Sequence, residues 1–276
     1  MIEWTAPTRR PLFRQPAALA ALAWLLLVVV ASLLAPVITS TDPMDTQTDQ
    51  ALMSPGPGRP MGTDFLGRDM LTRLLWGGRW TFQMVALALA IGVGLGLLIG
   101  LTAGSVGGWV DALLMRIVDS LLAFPGLLMA MALVAIFGTG LSSVALAVGL
   151  AAAFPYARVA RSVTWEIRGK PYVEAARAVG CGPWRIAVRY ILLNATPSLI
   201  TFATTQMGWV LLNSAALNFL GLGVPLGTPE WGAMLSEGRG YLREAPWASF
   251  FPGVVLTLTV LATNLLGDGL QEALER

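Results

Sequence analysis

Asp119 and Asp268 are the two residues of this chain whose type and position suggest acid–base chemistry inside a membrane. Each lies near one end of a long apolar stretch, and a pair of membrane-embedded aspartates is the arrangement used in intramembrane proteolysis. Asp268, however, follows Leu265-Leu266-Gly267, so the Gly-x-Gly-Asp arrangement of such enzymes is absent. Charged side chains at helix ends commonly cap helices or form ion pairs, and the sequence favours this interpretation for both aspartates.

Composition limits the other kinds of catalytic chemistry. The chain has no histidine, one cysteine (Cys181) and one lysine (Lys170). Imidazole metal ligands, a histidine base and an internal disulfide are therefore excluded. The phosphate-binding pattern Gly-x-x-x-x-Gly-Lys-Ser/Thr is absent as well. We expect a non-catalytic chain that holds no metal and no cofactor of its own.

Membrane-spanning helices must position these few polar groups, because 55% of the 276 residues are hydrophobic and only 12% are charged. This composition and the mean hydropathy of +0.68 exclude a disordered chain and an ordinary water-soluble enzyme. A span needs about 20 apolar residues, and six stretches qualify: about 17–38, 82–105, 117–138, 141–160, 196–221 and 249–268. The first is too long for a signal peptide. The sequence predicts an all-α, polytopic membrane protein with six transmembrane helices.

The positions of the charges predict the topology. The net charge of +2 is too small to indicate a nucleic-acid partner. With six spans, most of the 18 lysine and arginine residues fall in the two tails and the even-numbered loops, including Arg9, Arg10 and Arg14 in the N-terminal tail. Positive charge accumulates on the cytoplasmic side, so we expect both termini in the cytoplasm.

A stripe of small residues runs along the second predicted span. Gly92, Gly96, Gly100 and Gly104 recur every four residues and therefore lie on one helix face, where another backbone can approach closely in lipid. The stripe is compatible with static packing inside the chain, or with a subunit or bundle interface that slides or rocks.

The basic segment at about 161–195 should form a helix on the cytoplasmic side. Pro171 suits a first helical turn, strong helix formers follow it, and Gly180 is suited to stop the helix. A second short helix is expected from Gly182-Pro183 up to a break near Pro197. Two interpretations fit: a simple connector, or a narrow helix around Glu174, Ala175 and Ala176 that seats in a groove on another protein.

The order of these residues resembles a known family. Glu174-Ala175-Ala176, three residues and Gly180 resemble the EAA loop of permease subunits of binding-protein-dependent ABC importers. Gly62-Thr63-Asp64-Phe65-Leu66-Gly67-Arg68-Asp69 is similar to a segment of the second permease subunit in the dipeptide, oligopeptide and nickel subfamily. Further matching segments are Tyr156-Ala157-Arg158 with Arg161, Leu217 to Gly223, Glu230-Trp231-Gly232, and Asn264 to Leu270. The EAA pattern usually ends in Leu-Pro, whereas Leu192 is followed by Leu193.

The resemblance implies a function and a set of partners. It implies the type I ABC importer permease fold in a prokaryotic cytoplasmic (inner) membrane, and a heterodimeric pore made with a homologous permease. Two cytoplasmic ATPase subunits, which bind ATP and magnesium, and an extracytoplasmic substrate-binding protein complete the complex. Glu174, Ala175, Ala176 and Gly180 would couple the pore to the ATPases. Peptides are the first expected substrate class, and nickel or a metal chelate is the alternative.

Three regions are expected on this basis. Residues 1–79 would form the N-terminal tail, the first transmembrane helix and an extracytoplasmic loop. Residues 80–268 would form the transporter's transmembrane domain, and residues 269–276 a cytoplasmic tail.

The extracytoplasmic loops contain the remaining candidates. Asp64, Arg68, Asp69 and Arg73 alternate in charge at helical spacing, which predicts a helix with paired charges. The loop is either simply solvated or a platform that receives the binding protein. Trp231 lies in the fifth loop, where we expect interfacial anchoring first and a gate or binding-protein contact second.

Two other classes of protein remain as alternatives. A self-contained secondary transporter would need internal repeats and intramembrane ionisable residues, and the sequence shows neither. A membrane-embedded enzyme would depend on Asp119 and Asp268 alone.

Overall fold

The computed structural model describes residues 15–274, which form helices and no β-strand. The N-terminal arginines used in the topology argument lie outside the described residues. The helices of the first half are α1 (Pro16–Leu33), α2 (Ala35–Ile38), α3 (Met70–Val106), α4 (Gly108–Leu122), α5 (Gly126–Phe137) and α6 (Leu141–Arg168). Those of the second half are α7 (Pro171–Ala178), α8 (Pro183–Arg185), α9 (Leu193–Phe219), α10 (Trp231–Gly238) and α11 (Trp247–Leu274).

The described residues contain up to six candidate membrane crossings, as predicted, but one of them is bent. Five helices of the described part are long and apolar enough to cross a membrane, and α4 and α5 together make a sixth candidate, bent by 93°. The span expected at 117–138 is therefore not one continuous helix. Pro125 is the N-cap residue of α5, and a proline disfavours the helical conformation in the residue before it, so the chain turns sharply between the two helices.

The glycine stripe packs α3 against α6 of the same chain. A Cβ added at Gly96 would lie 2.7 Å from the Ala153 carbonyl oxygen and the Tyr156 Cβ, and one at Gly104 would lie 2.6 Å from the Thr164 Cγ2. Gly92 and Gly100 face the same helix. Only residues without a side chain allow this approach, so the stripe is an internal packing surface.

Two predicted boundaries differ from the observed ones. α3 begins at Met70, well before the expected start of the second span, and α11 continues to Leu274 through the predicted tail. The second short cytoplasmic helix is not separate, because α8 continues through a π-helical segment (Ile186–Leu192) into α9. Pro197 lies inside α9 and does not break it.

The helix bundle has a loop end and an α7 end. The loop end carries residues 39–69 and 220–246, and the α7 end carries α7 with the α3–α4 turn at Gly107. α1 lies beside α11, where the Trp24 Nε1 donates to the Thr259 hydroxyl at 3.2 Å. The candidate sites lie at the two ends.

Candidate functional site

Local sequence signals define both ends of α7. Lys170 precedes the helix and Pro171 occupies its first turn, where a missing N–H costs nothing. At the other end Gly180 has a φ of +83°, the left-handed conformation that favours glycine. The Gly180 N–H donates to the Arg177 carbonyl at 2.9 Å and the Cys181 N–H to the Ala176 carbonyl at 3.0 Å, which is a Schellman stop. The predicted helix and its stop at Gly180 are confirmed.

α7 rests on the bundle by one face and leaves the other exposed. Val173 is completely buried among Ile167 and Ile186, and Ala176 is buried beside it. Glu174 and Ala175 are exposed, as is Gly180. Of the four predicted coupling residues, three therefore lie on the outer surface, whereas Ala176 seats the helix on its own chain.

Large apolar side chains are exposed on this same surface. Trp184 is 79% exposed, Val179 80% and Tyr172 43%. Tyr172 lies on α7, Val179 follows it directly, and Trp184 lies in α8. An exposed apolar patch at the end of a bundle commonly marks a protein contact.

Ion pairs tie α4 to α6 at the α7 end. Arg161 holds Asp111 through two hydrogen bonds of 2.9 and 2.5 Å, and its guanidinium lies over the Trp165 ring. Asp119 pairs with Arg158. The ion-pair interpretation is thus observed for Asp119, whereas Asp268 lies on α11 and lines a cleft between α6, α9 and α11.

At the loop end, four charged side chains form a buried network. The Arg68 guanidinium lies 2.6 Å from the Asp64 carboxylate and 2.8 Å from that of Glu237. Arg73 lies 2.8 Å from Glu237 and 3.4 Å from Asp64. All four side chains are less than 10% exposed. Two positive and two negative charges thus compensate one another away from water, as buried charges require.

The backbone completes this network and joins four segments of the chain. The Gly227 carbonyl accepts from Arg68 at 3.3 Å and from Arg73 at 3.0 Å, and the Gly227 N–H donates to Glu237 at 2.9 Å. The Pro43 carbonyl also accepts from Arg73 at 3.3 Å. The network therefore fixes the loop before α3 to the loop before α10.

The predicted helix through Asp64 and Arg73 is wrong. α3 begins only at Met70, and Asp69 caps it by accepting from the Thr72 N–H at 2.8 Å. Asp64 instead closes a turn, accepting from the Leu66 and Arg68 N–H groups. The alternating charges are paired through this turn and through Glu237, a residue whose role has no local signal in the sequence.

Trp231 is part of the protein core rather than an anchor at the membrane surface. It is 1% exposed, its Nε1 donates to the Leu74 carbonyl at 3.0 Å, and its ring meets Phe82 edge to face. The expected interfacial anchoring is therefore wrong for this residue. Its burial also leaves it no surface for contact with a docked protein.

Glu230 next to it is a completely buried carboxyl group. It accepts from the Thr81 hydroxyl at 3.0 Å and from the Ala233 N–H at 2.9 Å, where it caps α10. Burial raises its pKa to about 7, against the opposing effect of these hydrogen bonds.

Within residues 15–274, no group of three or more histidine, cysteine, aspartate or glutamate side chains is arranged to hold a metal ion. The two ends of the bundle thus carry different structures: an exposed short helix, α7, at one end and loops joined by buried ion pairs at the other.

Two protein families match this chain. Residues 96–276 match the binding-protein-dependent transport system inner membrane component. Residues 5–55 match the N-terminal transmembrane domain of oligopeptide transport permease C.

Three proteins with named functions are similar to this chain over nearly its whole length. A glutathione transport system permease protein, GsiD, of Pectobacterium atrosepticum is 38% identical over 96% of this chain and 89% of its own length. A dipeptide transport system permease protein, DppC, of Alkalihalophilus pseudofirmus is 38% identical over 90% and 81%. A di/tripeptide transport system permease protein of Pseudomonas aeruginosa is 39% identical over 94% and 87%.

A solved structure supports the fold. A chain of the MetNI methionine ABC transporter in inward-facing conformations superimposes with a TM-score of 0.63 over 75% of this chain and 98% of that chain. Its sequence identity of 22% restricts this comparison to the fold.

Proposed function

Because this chain belongs to the family of binding-protein-dependent transport system inner membrane components, we propose that it forms half of the translocation pathway of a peptide importer. Relatives named for glutathione, dipeptide and di/tripeptide transport support peptides and favour them over nickel or a metal chelate. The other half of the pathway is a homologous permease.

The exposed face of α7 is the observation that carries this proposal. It combines an exposed carboxylate, Glu174, with a neighbouring small residue, Ala175, and with the exposed ring of Tyr172; the exposed ring of Trp184 follows in α8. We assign this face to a groove on a cytoplasmic ATPase subunit, which supplies the ATP and magnesium chemistry. The α7 end and both termini then lie in the cytoplasm.

The way α7 is held makes it suitable for transmitting force. It is joined to α6 through Gly169 and Lys170, and to the long α8–α9 helix through only four residues. ATP favours the closed arrangement of the ATPase pair by binding it better than the open one. Closure that displaces α7 therefore moves two spans of the bundle with it.

The loop end is the proposed receiving surface for the extracytoplasmic binding protein. The network of Asp64, Arg68, Arg73 and Glu237 is buried, so its part is to hold the shape of this surface. Asp69 contributes by capping α3 and by lying 3.5 Å from Arg59. Trp231 supports the same surface from the core.

Copurification tests the assignment of α7. The tagged chain is extracted from native membranes in mild detergent, and its bound subunits are quantified by mass spectrometry. We expect a homologous permease and ATPase subunits with the wild type, and loss of the ATPases with Glu174→Lys. Glu244→Lys is the matched control, because this glutamate is exposed at the loop end.

Retention of the ATPases by Glu174→Lys at the wild-type level would refute the docking role of this face. The copurified binding protein then tests the substrate, by titration with a dipeptide and with nickel. Binding of nickel without dipeptide binding would overturn the peptide assignment.

A further inference from the structure

A polar cleft of about 640 Å³ lies between α6, α9 and α11. Its polar lining residues are Glu166, Asn194, Ser198, Thr201, Thr205, Asp268 and Gln271, all on the half of these helices toward the α7 end. None of the proposed coupling residues lines it. The cleft is therefore a feature separate from α7 and from the loop end.

The cleft ends where α9 and α11 come into close contact. A Cβ added at Gly267 would lie 2.8 Å from the Thr205 hydroxyl, and one at Gly208 would lie 2.6 Å from the Asn264 side-chain oxygen. Glycine at both positions lets the two helices meet here. From this crossing the space continues past Ser198 and Asp268 to Asn194 and Leu274.

Several side chains of the cleft present hydrogen-bond acceptors. The Thr205 hydroxyl donates to the Thr201 carbonyl at 3.2 Å, and the Asn194 amide to the Tyr190 carbonyl at 2.7 Å. Each bond occupies one N–H or O–H donor and leaves the side-chain oxygen available as an acceptor. Asp268 and Glu166 add carboxylates, and no lysine or arginine is among the lining residues.

The charges of the two carboxylates are compensated differently. Glu166 has Lys170 at 3.0 Å. Asp268 is exposed and has no ion-pair partner among the residues the structure describes. An ionised carboxylate is costly against hydrocarbon and normally faces water or a polar cavity in membrane proteins. By contrast Ile200, two residues from Ser198 on α9, is apolar and 50% exposed.

We propose that this cleft is the inner vestibule of the translocation pathway, a water-filled mouth that favours solutes rich in N–H donors and positive charge. The assignment rests on the proposed function and adds to it the residues that meet the solute. A peptide has such donors in its ammonium group and amides. Asp268 is the group that meets a positive charge on the solute.

Thiol labelling tests whether the cleft contains water. Cys181→Ser removes the one natural thiol, and Ser198→Cys or Ile200→Cys then places a single thiol in the cleft or on the apolar face. The assembled importer in lipid nanodiscs is treated with a sulfonated, membrane-impermeant maleimide. We expect Ser198→Cys to react at least about ten-fold faster than Ile200→Cys, because hydrocarbon excludes the reagent. Equal or reversed rates would overturn the vestibule.

A charge variant tests the preference for positive solutes. Uptake of a lysine-containing and of a glutamate-containing dipeptide is compared in the wild type and in Asp268→Asn. We expect the lysine-to-glutamate uptake ratio to fall several-fold in Asp268→Asn and to remain unchanged in Glu272→Gln, an exposed acid of the same helix outside the cleft. An unchanged ratio in Asp268→Asn would overturn the role of this carboxylate.

The two proposals fail in different ways. If the cleft is labelled as expected but the complex takes up no peptide, the proposed function is contradicted. If the complex takes up peptide, but the cleft is not labelled and the lysine-to-glutamate uptake ratio is unchanged in Asp268→Asn, only the vestibule is contradicted.

Discussion

Glu237 is the residue that connects the two buried arginines of the loop end. One of its carboxylate oxygens lies 2.8 Å from both Arg68 and Arg73, and the other accepts from the Gly227 N–H. Its removal leaves two guanidinium groups that share a single remaining carboxylate, Asp64. A buried charge without compensation is strongly destabilising.

We predict that Glu237→Gln destabilises the assembled importer by about 3 kcal/mol or more, whereas Glu244→Gln has almost no effect. Glu244 is an exposed acid of the same loop region. The measurement is the thermal unfolding midpoint of the detergent-solubilised complex. Equal midpoints for the two variants would show that the network does not stabilise the loop end.

Glu230 gives the loop end a pH dependence of known sign. Its pKa is raised by burial from 4.5 to about 7, so the folded protein holds this proton more tightly than the unfolded chain. The stabilising effect of protonation is complete below about pH 4.5 and is lost as the pH rises through about 7.

We predict that Glu230→Gln removes this loss, because a neutral amide keeps an acceptor for the Ala233 N–H. The unfolding midpoint of the variant minus that of the wild type should rise from about pH 5 to pH 7 and then level off. The midpoints of both proteins are measured across this range in the same detergent. A constant difference would contradict the assigned titration.

The contact between α3 and α6 has its tightest point at Gly100. A Cβ there would meet the Ala157 carbonyl, lie 2.6 Å from the Ala160 Cβ and 2.8 Å from the Arg161 N. Backbone atoms cannot move aside as a flexible side chain can. Gly94 on the same helix has no atom within 4 Å of an added Cβ.

We predict that Gly100→Ala separates α3 from α6 and lowers both the yield and the unfolding midpoint of the complex. Gly94→Ala should be neutral or slightly stabilising, because alanine favours a helix over glycine. Size-exclusion profiles and midpoints of the two variants provide the comparison. A loss with Gly94→Ala as large as that with Gly100→Ala would argue against the packing role of the stripe.

The sequence predicts those elements whose signals are local. The start of α7 at Pro171 and its stop at Gly180 depend on neighbouring residues alone, and both are confirmed. The 93° bend between α4 and α5 was missed because apolar character continues on both sides of Pro125. The helix expected through Asp64 was wrong because contacts with Glu237, distant in the chain, decide the conformation of that segment.

At the scale of the whole molecule, the fold and the family could be predicted from ordered motifs spread over the chain. The position of the charged side chains could not be, because the same spacing suits an exposed helix and a buried network. Four residues that were expected to contact the binding protein are buried: Asp64, Arg68, Arg73 and Trp231. Their proposed role is therefore to hold the shape of the loop end. The cleft at Asp268 likewise depends on where α9 and α11 cross, which no single segment determines.

The central proposal is that movement of α7 controls a translocation pathway through this chain. It is most directly tested by the uptake of a labelled dipeptide into proteoliposomes that contain the chain with its copurified permease and ATPases. We predict uptake that requires both ATP and the binding protein, and that falls at least about ten-fold in Glu174→Lys, equivalent to about 1.4 kcal/mol of coupling, with unchanged incorporation of the chain. Uptake at the wild-type rate in Glu174→Lys, or uptake by the chain without the ATPases, would contradict the account.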